Sequence, residues 1–423
     1  MKRIILSIFT LSVIFAFAQQ AKAQFVLSGE FRPRFEFRDG YKKLNQKGGI
    51  AAFLISQRTR LNMGYKNDWL TTKLSIQDVR VWGDEPLKTD VPGTALYEAW
   101  AEFKVCDSMF IRAGRQEFIW DNERLLSNTN WQQKGLVHDA VLIKYRKKGW
   151  SVDFAGAFNQ SRDTTFSTDY NKNLGNYKTL NFLIIGKQLK NFNISLAGFA
   201  DGYQKKGTIN TTYLRATYGG VFSYKTSKIN TSARGFYQSG QNETGNFINA
   251  YYGNADFAYT WSKVYTLGAG AELQSGNDGT DVTNNQVNYF SCLYGTGHKF
   301  NGFQDFFTKP GDTKNAGLLD IYIKTLWKIA DKWSLVMDFH YFQLQNNYVN
   351  AGKTIDKFLG REGDIVVGYD FSKEVNLQVG YSGFMPTKSM EVINGGNKDK
   401  FPSWAFAMLT VKPTFFKFEK SEK

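Results

Sequence analysis

Beyond Ala23 the chain has no apolar run of about 18 residues, the length a membrane-crossing helix needs. Cysteine is nearly absent: only Cys106 and Cys292 occur, so no disulfide framework braces the fold. The 3 histidines, His138, His298 and His340, are the few available general bases. None lies in a G-x-S-x-G or similar setting, and barrel lipases and acyltransferases need a nucleophile with a base, so the chain does not read as an enzyme. There is no nucleotide-binding motif, no N-terminal plug domain, no cofactor motif and no metal-ligand pattern, which argues against energised import. No Pro/Ser-rich hinge or composition break divides the chain either, so a single domain is expected over 24–423.

What is present begins with a leader. Lys2 and Arg3 precede an apolar stretch from Ile4 to Ala18, and Ala21-Lys22-Ala23 fits an A-x-A cleavage site. Residues 1–23 therefore read as a signal peptide, with the mature chain starting at Gln24. Removing Lys2, Arg3 and Lys22 lowers the formal charge from +15 to +12. A basic balance of this size points to anionic partners, and export makes nucleic acid the least suitable of them.

Aromatic residues make up 16% of the chain with only 7 prolines, which is strand composition. Alternation with period 2 runs from end to end. In Phe31–Arg38, FRPRFEFR, Phe31, Phe35 and Phe37 share one face, and Arg32, Arg34, Glu36 and Arg38 share the other. Pro33 cannot donate to a ladder, and a local bulge is expected there. The same pattern predicts strands near 25–38, 50–65, 69–81, 94–105, 109–117, 139–146, 150–158, 177–188 and 192–200. Nine more follow near 211–225, 228–239, 251–261, 264–275, 317–328, 332–343, 361–371, 375–384 and 401–418.

Every second connection is very short, and those between are long and polar, at 39–49, 82–93, 118–138, 159–176, 276–316, 344–360 and 385–400. That is the layout of a bacterial outer-membrane barrel: all-β, antiparallel, up-and-down, with short periplasmic turns and long extracellular loops. A closed barrel is also what lets strands sit in lipid without an unpaired edge. A soluble propeller would repeat a blade of about 40–45 residues, and no such repeat is visible. The large apolar residues are read as lying on one face only, toward lipid.

Several stretches together resemble the alginate-export family of outer-membrane barrels. Gly114-Arg-Gln-Glu117 is followed by Arg124-Leu125 and Trp131, and Asp139 opens the next strand. RTRL at 58–61, QDVRVWGD at 77–84, LYGTGHKFNGFQDFF at 293–307 and LGREGDIVVGYDFSKEVNLQVGYSGFMP at 359–386 extend the resemblance from about Phe25 to Phe418. The chain departs from the family in having Asp121-Asn-Glu123 where a Gly-Asp pair is usual, and in closing on Phe418-Glu-Lys-Ser-Glu-Lys423 rather than a terminal aromatic. The resemblance implies a passive outer-membrane channel (porin-like) and a carboxylated, alginate-like polysaccharide as solute, though shared fold does not carry substrate.

A barrel of about 18 strands has a water-filled lumen, so inward side chains select the solute. The inward basic residues are read as Arg32, Arg34, Arg58, Arg60, Lys73, Arg80, Arg112, Lys144 and Arg215, with Arg115 and Arg124 near the mouth. Guanidinium groups grip carboxylates bidentately and stay charged, so such a set favours anions. Inward acids (Glu30, Glu36, Glu98, Glu102, Asp153, Glu272, Asp320, Asp338 and Asp364) offer the opposing reading, in which the arginines brace the wall. Asp278 and Asp281 in SGNDGTD read as turn residues rather than calcium ligands. The expected surroundings are outer-membrane lipid and lipopolysaccharide, an anionic solute inside, and a monomer in preference to an oligomer. A weakly selective porin and a non-conducting structural or adhesive barrel are the alternatives.

Overall fold

A computed structural model describes residues 23–419 apart from 89–92, 164, 167–175, 206, 209–210 and 282–285. Apart from Ala23, the expected leader lies outside the described residues. Phe31 and Phe35 are each 39% exposed, whereas Arg32 is 3%, Arg34 6% and Glu36 0% exposed. That contrast between adjacent residues is what a barrel wall produces, with aromatics outward and charge inward.

The wall contains β1 (Gln24–Asp39), β2 (Ala52–Lys66), β3 (Leu70–Val81), β4 (Thr94–Cys106), β5 (Met109–Gln116), β6 (His138–Lys147), β7 (Trp150–Phe158), β8 (Thr179–Leu189) and β9 (Phe192–Gln204). It continues through β10 (Thr212–Lys225), β11 (Ile229–Gln241), β12 (Phe247–Thr260), β13 (Tyr265–Gln274), β14 (Leu318–Ala330), β15 (Trp333–Gln343), β16 (Phe358–Asp370) and β17 (Val375–Pro386). The last strand, β18, runs Ser403–Val411 and resumes as Thr414–Glu419. Each strand pairs antiparallel with the next, and β1 pairs with both β2 and β18, closing an 18-stranded barrel. All backbone edges are thereby used, as a lipid-embedded sheet requires.

Two expectations need correction. The bulge expected at Pro33 is absent, because the register of β1 on β2 runs unbroken from Gln24 to Arg38. The ladder from β1 to β18 has no pairing at Arg32 and Pro33, and the missing N–H falls in that gap. The irregularity lies instead at Lys412-Pro413, where β18 breaks and its register on β1 shifts between Leu27 and Ser28.

The apolar residues are also not confined to the lipid face. On β8, Leu183 and Ile185 point outward, while Leu180, Phe182 and Ile184 are buried inside the barrel. They belong to an inner cluster with Ala155, Phe199, Phe236 and Tyr252 from the wall and Phe118, Leu125, Leu126 and Phe290 from loops. The long loop 117–137 and the described parts of 275–317, from residue 286 on, fold into the lumen and give this side of the wall something apolar to pack on. A second inner cluster joins Phe306 and Phe307 of the later loop to Phe342, Leu359 and Phe384 of the wall. It also includes Met390 and Ile393 of α1 (Lys388–Asn394), the short helix before β18.

Candidate functional site

The two inserted loops meet each other inside the barrel. Tyr294 N donates to Leu125 O at 3.0 Å, Ser127 N to Tyr294 O at 3.1 Å and Thr296 N to Glu123 O at 3.1 Å. This backbone ribbon brings Gly295 so close that a Cβ there would collide with the Arg124 carbonyl. Arg124 itself crosses to the wall, pairing with Glu272 and donating to Asn301 Oδ1 at 2.6 Å.

The inward arginines of β1 and β2 hold the segment 130–134 of the first inserted loop. Arg32 donates to Gln133 Oε1 at 2.9 Å and to the Trp131 and Gln132 carbonyls at 3.4 and 3.3 Å. Arg34 donates to Trp131 O at 2.7 Å with its guanidinium 4.1 Å from the Trp131 ring. Arg58, fully buried, binds Glu30 at 2.6 Å and Asn130 Oδ1 at 2.7 Å. Arg60 donates to Gln77 Oε1 at 2.8 Å and lies 3.5 Å over the Tyr97 ring. Five inward cations here, Arg38 among them with Glu36 at 2.8 Å, face two carboxylates, Glu30 and Glu36, and many of the remaining donors are taken by loop carbonyls and side-chain amides.

Further round the lumen, Lys73 pairs with Glu98, and Arg112 pairs with Glu102 at 2.8 Å while lying 3.7 Å over Trp100. Lys144 shares Glu102 with Arg112. These three side chains keep between a fifth and a third of their surface open. Arg215 is buried against Asp201, at 2.6 Å.

Two residues read as inward face outward. Arg80 stands opposite Gln57 on β2, whereas the inward positions there are Ser56 and Arg58, so Arg80 lies on the lipid side. It pairs with Asp78 at 2.6 Å and Glu85 at 3.2 Å. Arg115 pairs with Asp139 at 2.8 Å on the outer face at the loop end, because inward Arg112 and Arg115 have opposite parity. A strict count of two from Lys73 and from Arg112 carries the information for both corrections.

The lumen also holds residues that the sequence reading does not single out. Arg234 projects inward from β11 and ties Asp121 of the first inserted loop at 2.5 Å to Asp256 at 3.0 Å. Glu362 sits two residues before Asp364 on the same inward face and accepts from Gln304 N of the later loop at 2.7 Å. Period-2 spacing from Asp364 is the signal that finds Glu362. Asn130, Trp131 and Gln133 carry no such signal, because a loop has no periodicity.

The histidines have structural partners. His138 Nδ1 lies 2.9 Å from the Tyr177 hydroxyl, His340 Nδ1 2.9 Å from Asp320, and His298 Nδ1 3.0 Å from Asp305. His298 also stacks on Trp131 with ring centres 3.9 Å apart. Burial opposes the Asp305 charge, but His298, Tyr41 and Lys42 outweigh it and hold the carboxyl below its ordinary value. Burial pushes the Cys292 thiol in the same loop up to about 11. Asp278 accepts from Thr280 N at 2.9 Å, the local bond of a turn aspartate.

Two recesses among the described residues lie along the lumen. One, of about 450 Å³, is lined by Arg32, Trp131, His298, Lys299, Phe406 and Met408 among others. The second, of about 330 Å³, holds Lys73, Glu98, Trp100, Arg112 and Lys144 beside Phe118 and Phe182. Val336 and Gln378 in the first, and Lys73, Arg112 and Asp153 in the second, each lie three residues in from a short turn. Both recesses therefore reach toward the short-turn end, with the inserted loops at their inner side.

Among solved structures, the Pseudomonas aeruginosa outer membrane protein OpdK matches with a TM-score of 0.61 at 10% identity, covering 93% of this chain and 99% of its own. Acinetobacter baumannii OccAB1 matches with 0.60 at 13% identity, covering 93% and 97%. OpdK with vanillate gives 0.58 at 10% identity over 93% and 99%. At these identities the likeness is one of fold. No curated protein matches. The family model described as alginate export matches residues 24–391. The chain thus belongs to the alginate export family, and its family and fold are those of outer-membrane porin-like channels, not enzymes.

Proposed function

We propose that this channel passively conducts hydrophilic anionic solutes, carboxylated oligo- or polysaccharides of the alginate type among them. It acts as a monomer, after removal of the 1–23 leader, as one barrel domain. The observation that carries the reading is the β1–β2 wall, where Arg32, Arg34, Arg58 and Arg60 face Glu30 and Glu36 across a low-dielectric interior. Buried arginines of this kind act through their field, which raises the local concentration of anions without direct contact. Arg124 and Arg215 belong to the same class, being buried and paired. Contact falls to the partly open Lys73, Arg112 and Lys144. The family name supports a uronate polymer, and vanillate, which accompanies OpdK in one structure of like fold, is itself a carboxylate.

A weakly selective porin is the second reading, favoured by the ion pairing of nearly every lumenal cation. Planar-bilayer recording separates the two. Anion selectivity, with current blocked by uronate oligomers but not by neutral glucans, is expected. Cation preference would defeat the arginine argument while leaving the barrel intact, and an inserted protein without conductance would make the role structural. Arg112→Ala with Lys144→Ala should weaken the block, whereas outward Arg80→Ala should leave it unchanged.

A further inference from the structure

A lumenal wall that meets water has no need of apolar residues, since the interior of a channel barrel is polar. The larger recess breaks that rule. Its wall is formed by Val336 of β15, Val366 of β16 and Phe406 and Met408 of β18, all at inward positions, with Phe303 from the later loop. Unlike the inner cluster around Phe306, this apolar surface borders about 450 Å³ of open space, within the range of small-molecule sites.

The opposite rim is cationic and rich in donors. Lys299, with half its side chain exposed, pairs with Glu123 at 2.8 Å, and Glu123 and Asn130 also line the recess. Arg32 has Glu30 only at 4.0 Å, and Glu30 is held at 2.6 Å by Arg58. Arg32 therefore contributes a positive charge to this recess that no carboxylate of its own neutralises. Trp131, stacked on His298, offers an aromatic face between rim and wall.

We propose that this recess is a binding subsite for small carboxylates with a compact apolar ring, of the benzoate class, in preference to polyhydroxylated uronates. The carboxylate faces Arg32 and Lys299, and the ring lies on Val336, Val366, Phe406 and Met408. A uronate in the same pose would press hydroxyls against four apolar side chains and leave them without partners, which is costly. The inference rests on the anion-channel reading for the charged end of the solute and goes beyond it for the body.

Isothermal titration calorimetry on the full barrel in detergent, with empty micelles as blank, compares benzoate, glucuronate and benzyl alcohol. Benzoate should bind at least tenfold more tightly than either of the others. Lys299→Gln should lower benzoate affinity several-fold and leave benzyl alcohol unchanged. Val366→Thr combined with Met408→Gln should lower benzoate affinity tenfold without improving benzyl alcohol. Heat-modifiable gel migration verifies that each variant barrel is folded, and Lys299→Gln, on a loop, keeps the test standing if the wall variant fails to fold. No measurable benzoate binding, or glucuronate binding as tight as benzoate, overturns the subsite. In bilayers, anion selectivity without this preference removes the subsite alone. Cation selectivity removes the anion-channel reading, whatever calorimetry finds.

Discussion

Among the arginines, burial and partner decide what each can do. Arg58 is fully enclosed, with Glu30 at 2.6 Å, Asn130 at 2.7 Å and the Gln132 and Gln133 carbonyls within 3.5 Å. Removing it leaves the Glu30 carboxylate enclosed beside β1, and breaking a buried pair in this way costs about 3–5 kcal/mol. Arg80, by contrast, is over a third exposed on the outer face, and solvent screening leaves its pair with Asp78 little to add to stability. Arg58→Ala should therefore lower the denaturant midpoint of the vesicle-inserted barrel and loosen segment 130–134, measured as faster protease nicking there. Arg80→Ala should change neither. Equal effects at the two positions would mean that the Arg58 bonds to Glu30 and the loop add nothing to stability.

At the scale of elements, the strands are legible because lipid imposes one rule on outward positions away from the loop ends, where charged Arg80 and Arg115 lie outside it. Phe31, Phe35, Leu183, Ile185 and Phe339 all obey it, and period 2 locates them without tertiary knowledge. The same alternation fails where only one face is read: Leu180, Phe182 and Ile184 are apolar because a loop covers them, and no local pattern announces which loop. Loops 117–137 and 275–317 carry a hint in Phe118, Leu125, Leu126, Phe306 and Phe307, too greasy for solvent-facing segments. Their destinations depend on contacts 100 to 270 residues away in sequence, such as Arg32 to Gln133 and Tyr41 to Asp305, which sequence spacing cannot supply.

The later loop also carries a pH dependence with a definite sign. Asp305 is held below the ordinary aspartate value near 3.9, burial being outweighed by His298, Tyr41 and Lys42. A depressed carboxyl stabilises the folded state above its unfolded value and loses that contribution as pH falls through the lower folded value. The Asp305 contribution should thus still be present at about pH 5 and fall away only below about pH 4. Comparing wild type with Asp305→Asn by Trp131 fluorescence along an acid titration isolates it. A difference between the two that vanished already near pH 6 would assign the latch to another group.

For the whole molecule, the two ends of the barrel are chemically distinct, and the native cysteines report which end faces out. Cys106 closes β4 at a short turn and is exposed, whereas Cys292 lies in the inserted loop with its thiol pushed up to about 11 by burial. Thiolate is the reactive form, so Cys292 should remain unlabelled at pH 7.5 in the folded barrel while Cys106 reacts readily. Outer-membrane barrels place short turns in the periplasm. A bulky maleimide that cannot cross the outer membrane should accordingly leave Cys106 unmodified on intact cells. It should modify Cys106 once that membrane is permeabilised, as read by peptide mass. Labelling of Cys106 on intact cells would invert the assignment and turn the inserted loops toward the periplasm. Both recesses, which reach toward the short turns, would then open to the outside, and a solute from the medium would meet Lys73 and Arg112 before it met the loops. With Cys106 protected, a solute from outside must first pass the loops that Arg32, Arg34 and Arg58 hold in place. The order in which an anion meets gate and binding surface therefore follows from one accessible sulfur.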